Sequence, residues 1–205
     1  MMKAKLEQDR SAPVVQPGLS TSVGHTFDYA DLPRLARRTV EVFVREERVI
    51  TPPDFDTESP LQHPAACFVS IKTDSGDLRG CIGTIEPTYP SLAEELIANA
   101  ISAATRDPRF RPITPAEFPH LRFSVDVLSA PEPAQMQDLD PNIYGVVVTD
   151  ESGRQRGLLL PAIEGVGHAA QQVAIAARKA GLRPDAALKL YRFRVKRFTE
   201  QPDAA

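Results

Sequence analysis

Residues 67–83 read CFVSIKTDSGDLRGCIG. Two runs, CFVSIKT (67–73) and LRGCIGTI (78–85), bracket the turn-forming residues Asp74, Ser75, Gly76 and Asp77. This pattern predicts an antiparallel hairpin. With its turn centred on Ser75 and Gly76, Ser70 falls opposite Cys81 and Cys67 opposite Thr84. The cysteines then lie roughly 10 Å apart, at about 3.3 Å per residue, too far for a disulfide. Side chains alternate along a strand, so Arg79, Cys81 and Gly83 are expected on one face and Leu78, Gly80 and Ile82 on the other. Leu78 and Ile82 should turn to the core. Glycines beside a thiol admit two readings: they clear a pocket floor, or they let a helix pack closely. Cys81 likewise reads either as a nucleophile favoured by the same-face Arg79 or as a small buried hydrophobe. Arg79 also carries a fork of donors suited to a carboxylate or phosphate. Cys67 reads as structural.

Upstream, Asp31 is a candidate N-cap, and Leu32, Leu35, Ala36, Val40 and Phe43 recur at helical spacing, predicting a helix over 32–47 with Arg34, Arg37, Arg38, Glu41 and Arg45 on its charged face. The proline-rich segment 50–64 predicts a surface loop. Downstream, SLAEELIANAISAATRD (91–107) predicts a helix that opens on a Ser91/Glu94 capping box and carries an alanine-rich apolar stripe. Asp107, Pro108, Arg109 and Phe110 end it; Asp107 and Arg109 either pair with each other or bind a ligand.

LRFSVDVL (121–128) alternates as a half-buried strand. YGVVVTD (144–150) and RGLLLP (156–161) predict a second hairpin, followed by a helix over 168–180 that ends at Gly181. LYRFRVKRF (190–198) is expected to be one closing strand, its Arg192, Arg194 and Lys196 forming a basic stripe that reads as a solvated face or edge protection before an anion-binding site. Hairpins with interspersed helices indicate an α+β fold on a mostly antiparallel sheet, and the lack of βαβ alternation argues against a Rossmann fold. No fixed-period repeat is evident.

At 205 residues the chain is long enough for one sizeable core. We expect a tail over 1–24, rich in Ser, Pro, Gly and Gln, and a single domain over 25–200. A net charge of −3 gives no reason to expect nucleic acid as a partner. No apolar run approaches the roughly 20 residues of a membrane span, and the start lacks the apolar core of a secretion signal, so a cytoplasmic location is expected. No metal-ligand or dinucleotide motif is present, and neither metal nor cofactor is expected. His25, His63, His120 and His168 are possible bases for Cys81, and Glu86 and Glu164 are weaker acid–base candidates.

LRGCIGTIEP (78–87), NAISAATRDPRF (99–110), SVDVLS (124–129), RGLLLPAIEGV (156–166) and RKAGL (178–182) resemble the AMMECR domain, most closely its bacterial and archaeal form in the AmmeMemoRadiSam system. The resemblance spans about Leu32 to Phe198. It implies a compact α+β domain with a smaller packed lobe and a cleft bordered by the LRGCIG strand. It also implies association with a Memo-like protein and a radical S-adenosylmethionine protein, but no reaction. Its motif residues are Arg79, Gly80, Cys81 and Gly83, then Asp107, Pro108, Arg109 and Phe110; Arg111 stands where similar sequences often have proline. Two functions are expected. In one, Cys81 is the catalytic thiol of a cleft in which Arg79, Gly80, Gly83, Asp107 and Arg109 bind a small anionic molecule. In the other, the chain is a non-catalytic scaffold for those partners.

Overall fold

The computed structural model describes residues 28–53, 59–183 and 187–200; the expected tail over 1–24 lies outside them. The helices are α1 (Leu32–Glu46), α2 (Leu92–Thr105) and α3 (Ala169–Lys179). The strands are β1 (Cys67–Thr73), β2 (Leu78–Gly83), β3 (Leu121–Leu128), β4 (Glu132–Ala134), β5 (Gly145–Thr149), β6 (Arg156–Leu159), β7 (Lys189–Phe193) and β8 (Val195–Thr199). They form two antiparallel four-stranded sheets, ordered β2-β1-β3-β8 and β4-β7-β5-β6. The α+β architecture is as the sequence indicates.

The first hairpin turns at Gly76, whose φ of 89° suits glycine, and pairs Ser70 with Cys81. The register then slips: Ile71 pairs with Gly80 but Lys72 pairs with Leu78, leaving Arg79 as the extra residue of a β-bulge. The bulge breaks the strict alternation expected for this strand. Leu78 therefore lies on the outer side with Lys72, 38% exposed, instead of in the core.

Cys67, Val69 and Ile71 of β1 and Leu121, Phe123 and Val125 of β3 point to the inner face, where α1 and α2 bury them. Gly80 serves this packing: a Cβ there would lie 2.2 Å from the carbonyl oxygen of Ala103 on α2. A Cβ on Gly83 would strike the Phe68 ring, 2.3 Å away. Gly80 thus admits a helix, the second of the two readings, whereas Gly83 admits a ring of the neighbouring strand.

Local details depart from the simple pattern. Asp31 stands at the N-cap of α1 as expected but makes no side-chain cap bond there; Asp28 caps the short turn before it, its carboxylate accepting the Ala30 N–H at 2.6 Å while Asp31 accepts the Asp28 N–H at 3.1 Å. Ser91 caps α2 by accepting the Glu94 N–H, but its hydroxyl donates to the Glu94 carboxylate, so the return bond of a capping box is replaced. Arg37 leaves the solvated face of α1: its guanidinium binds Glu200 and the carbonyls of Phe118 and Leu121.

In the second sheet, Val146, Val148 and Leu159 pack on Val173, Ala176 and Ala177 of α3. The opposite face, with Val147, Leu158 and Phe193, packs on Ala66 and Leu128 from the first sheet's end of the molecule. The segment LYRFRVKRF is not one strand. It breaks at Arg194, β7 serving the second sheet and β8 the first. Its basic side chains are engaged: Arg192 with Glu132, Arg194 with the Tyr144 hydroxyl, and Lys196 over the rings of Tyr29 and Phe198.

These orders contain a duplication that no sequence period betrays. The run β1-β2-α2-β3 forms the sheet order β2-β1-β3, and the run β5-β6-α3-β7 forms β6-β5-β7. Each is a ββαβ unit whose outer strand carries a glycine beneath a helix carbonyl, Gly80 under Ala103 and Gly157 under Ala176. Each unit also lends a strand to the other: β4 follows β3 but pairs with β7, and β8 follows β7 but pairs with β3. Where the two connections cross, the Ser129 N–H donates to the Arg194 carbonyl at 2.9 Å and the Arg194 N–H donates to the Ser129 hydroxyl at 3.0 Å.

Candidate functional site

Cys81 lies on the edge strand β2, half-buried. Its N–H donates to Asp107 Oδ2 at 2.9 Å, and its carbonyl accepts from Arg109 Nη2 at 3.3 Å. Both backbone groups thus face away from β1, which makes Ser70–Cys81 a non-hydrogen-bonded pair with closely approaching side chains. The Ser70 hydroxyl accordingly donates to the Cys81 sulfur at 3.2 Å.

The loop that ends α2 seals this edge. Asp107, with its side chain only 2% exposed, also accepts from the Arg109 N–H, Nε and Nη2 at 3.1, 2.9 and 2.7 Å. The Arg109 guanidinium foremost holds the Asp107 carboxyl well below the usual carboxylate range; burial opposes this, and the backbone N–H groups of Cys81 and Arg109 assist. Arg109 is raised in turn, chiefly by its hydrogen bond to Asp107 and in lesser part by Cys81. Across the sheet, Asp126 is 3% exposed and accepts a bidentate pair from Arg197, at 2.6 and 2.7 Å. Arg197 is raised first by Asp126, with Cys81 again a lesser cause. The sulfur therefore sits within electrostatic reach of two guanidinium groups.

Arg79 points its donors at the segment beyond α2. Nε binds Glu117 at 2.7 Å, and Nη1 binds the carbonyl of Arg111 at 2.9 Å. Burial pushes the Glu117 carboxyl up, but the bonds from Arg79 and Thr114 outweigh it and leave a net lowering. Arg111 contributes here through its backbone carbonyl.

The other candidates lie elsewhere. Cys67 is buried on the inner face beneath Asn99, and burial pushes its thiol up to about 12. His120 binds Asp74 at the hairpin turn, and His168 caps α3. His25 lies outside the described residues, and among those described no histidine hydrogen-bonds to the Cys81 sulfur. Glu86 pairs with Arg156, whose hydrogen bond lowers the Glu86 carboxyl, and Glu164 is exposed between β6 and α3. Among the described residues no cluster of three or more His, Cys, Asp or Glu is placed to hold a metal ion, and no helix is long and apolar enough to cross a membrane. Sequence reasoning placed Ser70 opposite the thiol but missed Arg197 as its neighbour. Ser70 was available from the hairpin register; Arg197 reaches the site because its strand changes sheets at Arg194.

A family profile described as AMMECR1 matches residues 33–201. A protein of Thermotoga maritima is 46% identical over 165 residues, covering 80% of this chain and 94% of that one. A protein of Clostridium acetobutylicum is 43% identical over 168 residues, covering 82% of this chain but 35% of its own longer one. The crystal structure of an uncharacterized protein from Pyrococcus horikoshii superimposes with a TM-score of 0.74 at 33% identity, covering 83% of this chain and 90% of that one. With a match from end to end of both sheets, and relatives above 40% identity over most of its length, the chain belongs to the AMMECR1 family.

Proposed function

We propose that this chain is a cytoplasmic enzyme, or a component of one, whose Cys81 thiol acts on a small anionic molecule as nucleophile or as acid–base group. The carrying observation is the contrast between its two thiols. Cys67 is dry and pushed far up; Cys81 is half-exposed, hydrogen-bonded to Ser70 and flanked by Arg109 and Arg197. Partial exposure lets a reagent reach the sulfur, which a reactive cysteine requires. Asp107 and Arg109 fix the backbone of β2 on both sides of the sulfur, Arg79 ties the same loop through Glu117, and Gly80 and Gly83 set how closely α2 and Phe68 approach the strand.

Titration with Ellman's reagent tests this. The native protein is expected to release about one equivalent of thiolate, the unfolded protein about two, and native Cys81→Ser none. A native protein with no reactive thiol would overturn the reading.

A second reading, carried by the resemblance of the quoted motifs, is a partner for a Memo-like protein and a radical S-adenosylmethionine protein; the matched segment also occurs within a longer chain, as 35% of the Clostridium relative. Co-expression of the three proteins is expected to give co-elution that survives Cys81→Ala. Separate elution of each at micromolar concentration would count against docking.

A further inference from the structure

The two ββαβ units supply an internal comparison. In the second, Val147 pairs with Leu158 on one side and Tyr191 on the other. In the first, Ser70 stands at the same place, pairing with Cys81 and Ser124, and β8 extends the row to Thr199. The Val147 row is packed against the first sheet's end of the molecule, with Val147 1% and Leu158 8% exposed and Tyr191 half-buried. The Ser70 row consists of hydroxyls and a thiol, half-buried in Ser70, Cys81 and Ser124 and exposed in Thr199. The backbone framework and the glycine beneath the helix are shared, so the difference lies in what covers each row and not in the strands themselves.

Nor do the row's own contacts account for it. Ser70 donates to the sulfur, but among the described residues the hydroxyls of Ser124 and Thr199 have no hydrogen-bond partner. The surrounding charges are mostly cancelled: Arg109 by Asp107, Arg197 by Asp126, Arg79 by Glu117 and Arg122 by Asp74. Lys72, next to Ser70 on the same face of β1, is the exposed cation bordering the row that has no partner among the described residues.

We propose that this row is an oxyanion site, in which Lys72 and Ser124, with Thr199 beyond, hold the carboxylate or phosphate of a small organic molecule whose other end meets Cys81. This rests on the reading of Cys81 as a working thiol and moves the anion-holding role from Arg79 and Arg109 to Lys72 and the hydroxyls. Two strand spacings separate Cys81 from Ser124, about 10 Å, which fixes the length of the ligand.

A matched pair of alkylating reagents tests it: 4-(bromomethyl)benzoate and its neutral amide. Each forms a bond between the Cys81 sulfur and the benzylic carbon, with bromide leaving and the thiol proton going to solvent. Relative to the same rate ratio on N-acetylcysteine, the protein is expected to favour the anionic reagent about tenfold, the effect of one added bond to a charged group. Lys72→Met and Ser124→Val should each take the ratio most of the way back to that of the small thiol, with the melting temperature unchanged or higher. A wild-type ratio equal to that of the small thiol, or one that neither variant alters, overturns the oxyanion site and leaves the working thiol standing. A Cys81 inert to both reagents overturns both. A fall in melting temperature of more than about 4 °C in Ser124→Val would mark the row as structural and overturn the site as well.

Discussion

Glu95→Ala is expected to lower the melting temperature by roughly 10 °C, the consequence of losing about 4 kcal/mol in a domain of this size. Glu95 is fully buried on α2, yet its carboxylate has a full set of donors. It accepts from the Thr84 hydroxyl at 2.6 Å, the Thr88 N–H at 2.6 Å, the Tyr89 N–H at 2.9 Å and the Asn99 amide at 3.5 Å. Removing it strips the acceptor from the buried Asn99 amide and from the partly buried donors of Thr84, Thr88 and Tyr89, at up to about 1–3 kcal/mol each before water replaces part of the loss. The segment it secures follows β2 and carries Ile85 and Glu86, which reach the second sheet through the shared apolar cluster and the bond to Arg156. Urea denaturation gives the free energy directly. A loss below about 1 kcal/mol would show that the segment finds other acceptors.

Gly80→Ala and Gly157→Ala should each destabilise by about 3 kcal/mol or more. The added methyl would lie 2.2 Å from the Ala103 carbonyl in the first case and 2.0 Å from the Ala176 carbonyl in the second. The obstruction is helix backbone, so no side-chain rotation relieves it and the whole helix must lift from its sheet. Equal costs at the two positions would match their equivalence in the two ββαβ units. A neutral result at either one, by thermal or urea denaturation, would mean that the helix rides farther from the strand.

Much of this was written in the chain. The first hairpin and its Ser70–Cys81 register followed from four turn residues, and β3 followed from a strict alternation over 121–128. The helices were legible from the spacing of their apolar residues because each buries one face. What escaped involved choices between partners distant in sequence. LYRFRVKRF has an unbroken period of two, and nothing local says that its halves join different sheets at Arg194. The bulge at Arg79 follows from loop contacts to Glu117 and Arg111, which lie more than thirty residues away. For the same reason the thiol's neighbours were only half legible: Arg109 is close in the quoted motifs, whereas Arg197 and Asp126 depend on which strand lies beside which.

The crossing of the two connections at Ser129 and Arg194 bears on motion. Because each sheet is completed by a strand from the other unit, the sheets cannot swing apart as lobes on a flexible joint without unzipping a ladder. Any molecule that approaches the sulfur must then rely on side-chain rotation and loop displacement over a stiff floor, with no jaw-like opening between the two sheets.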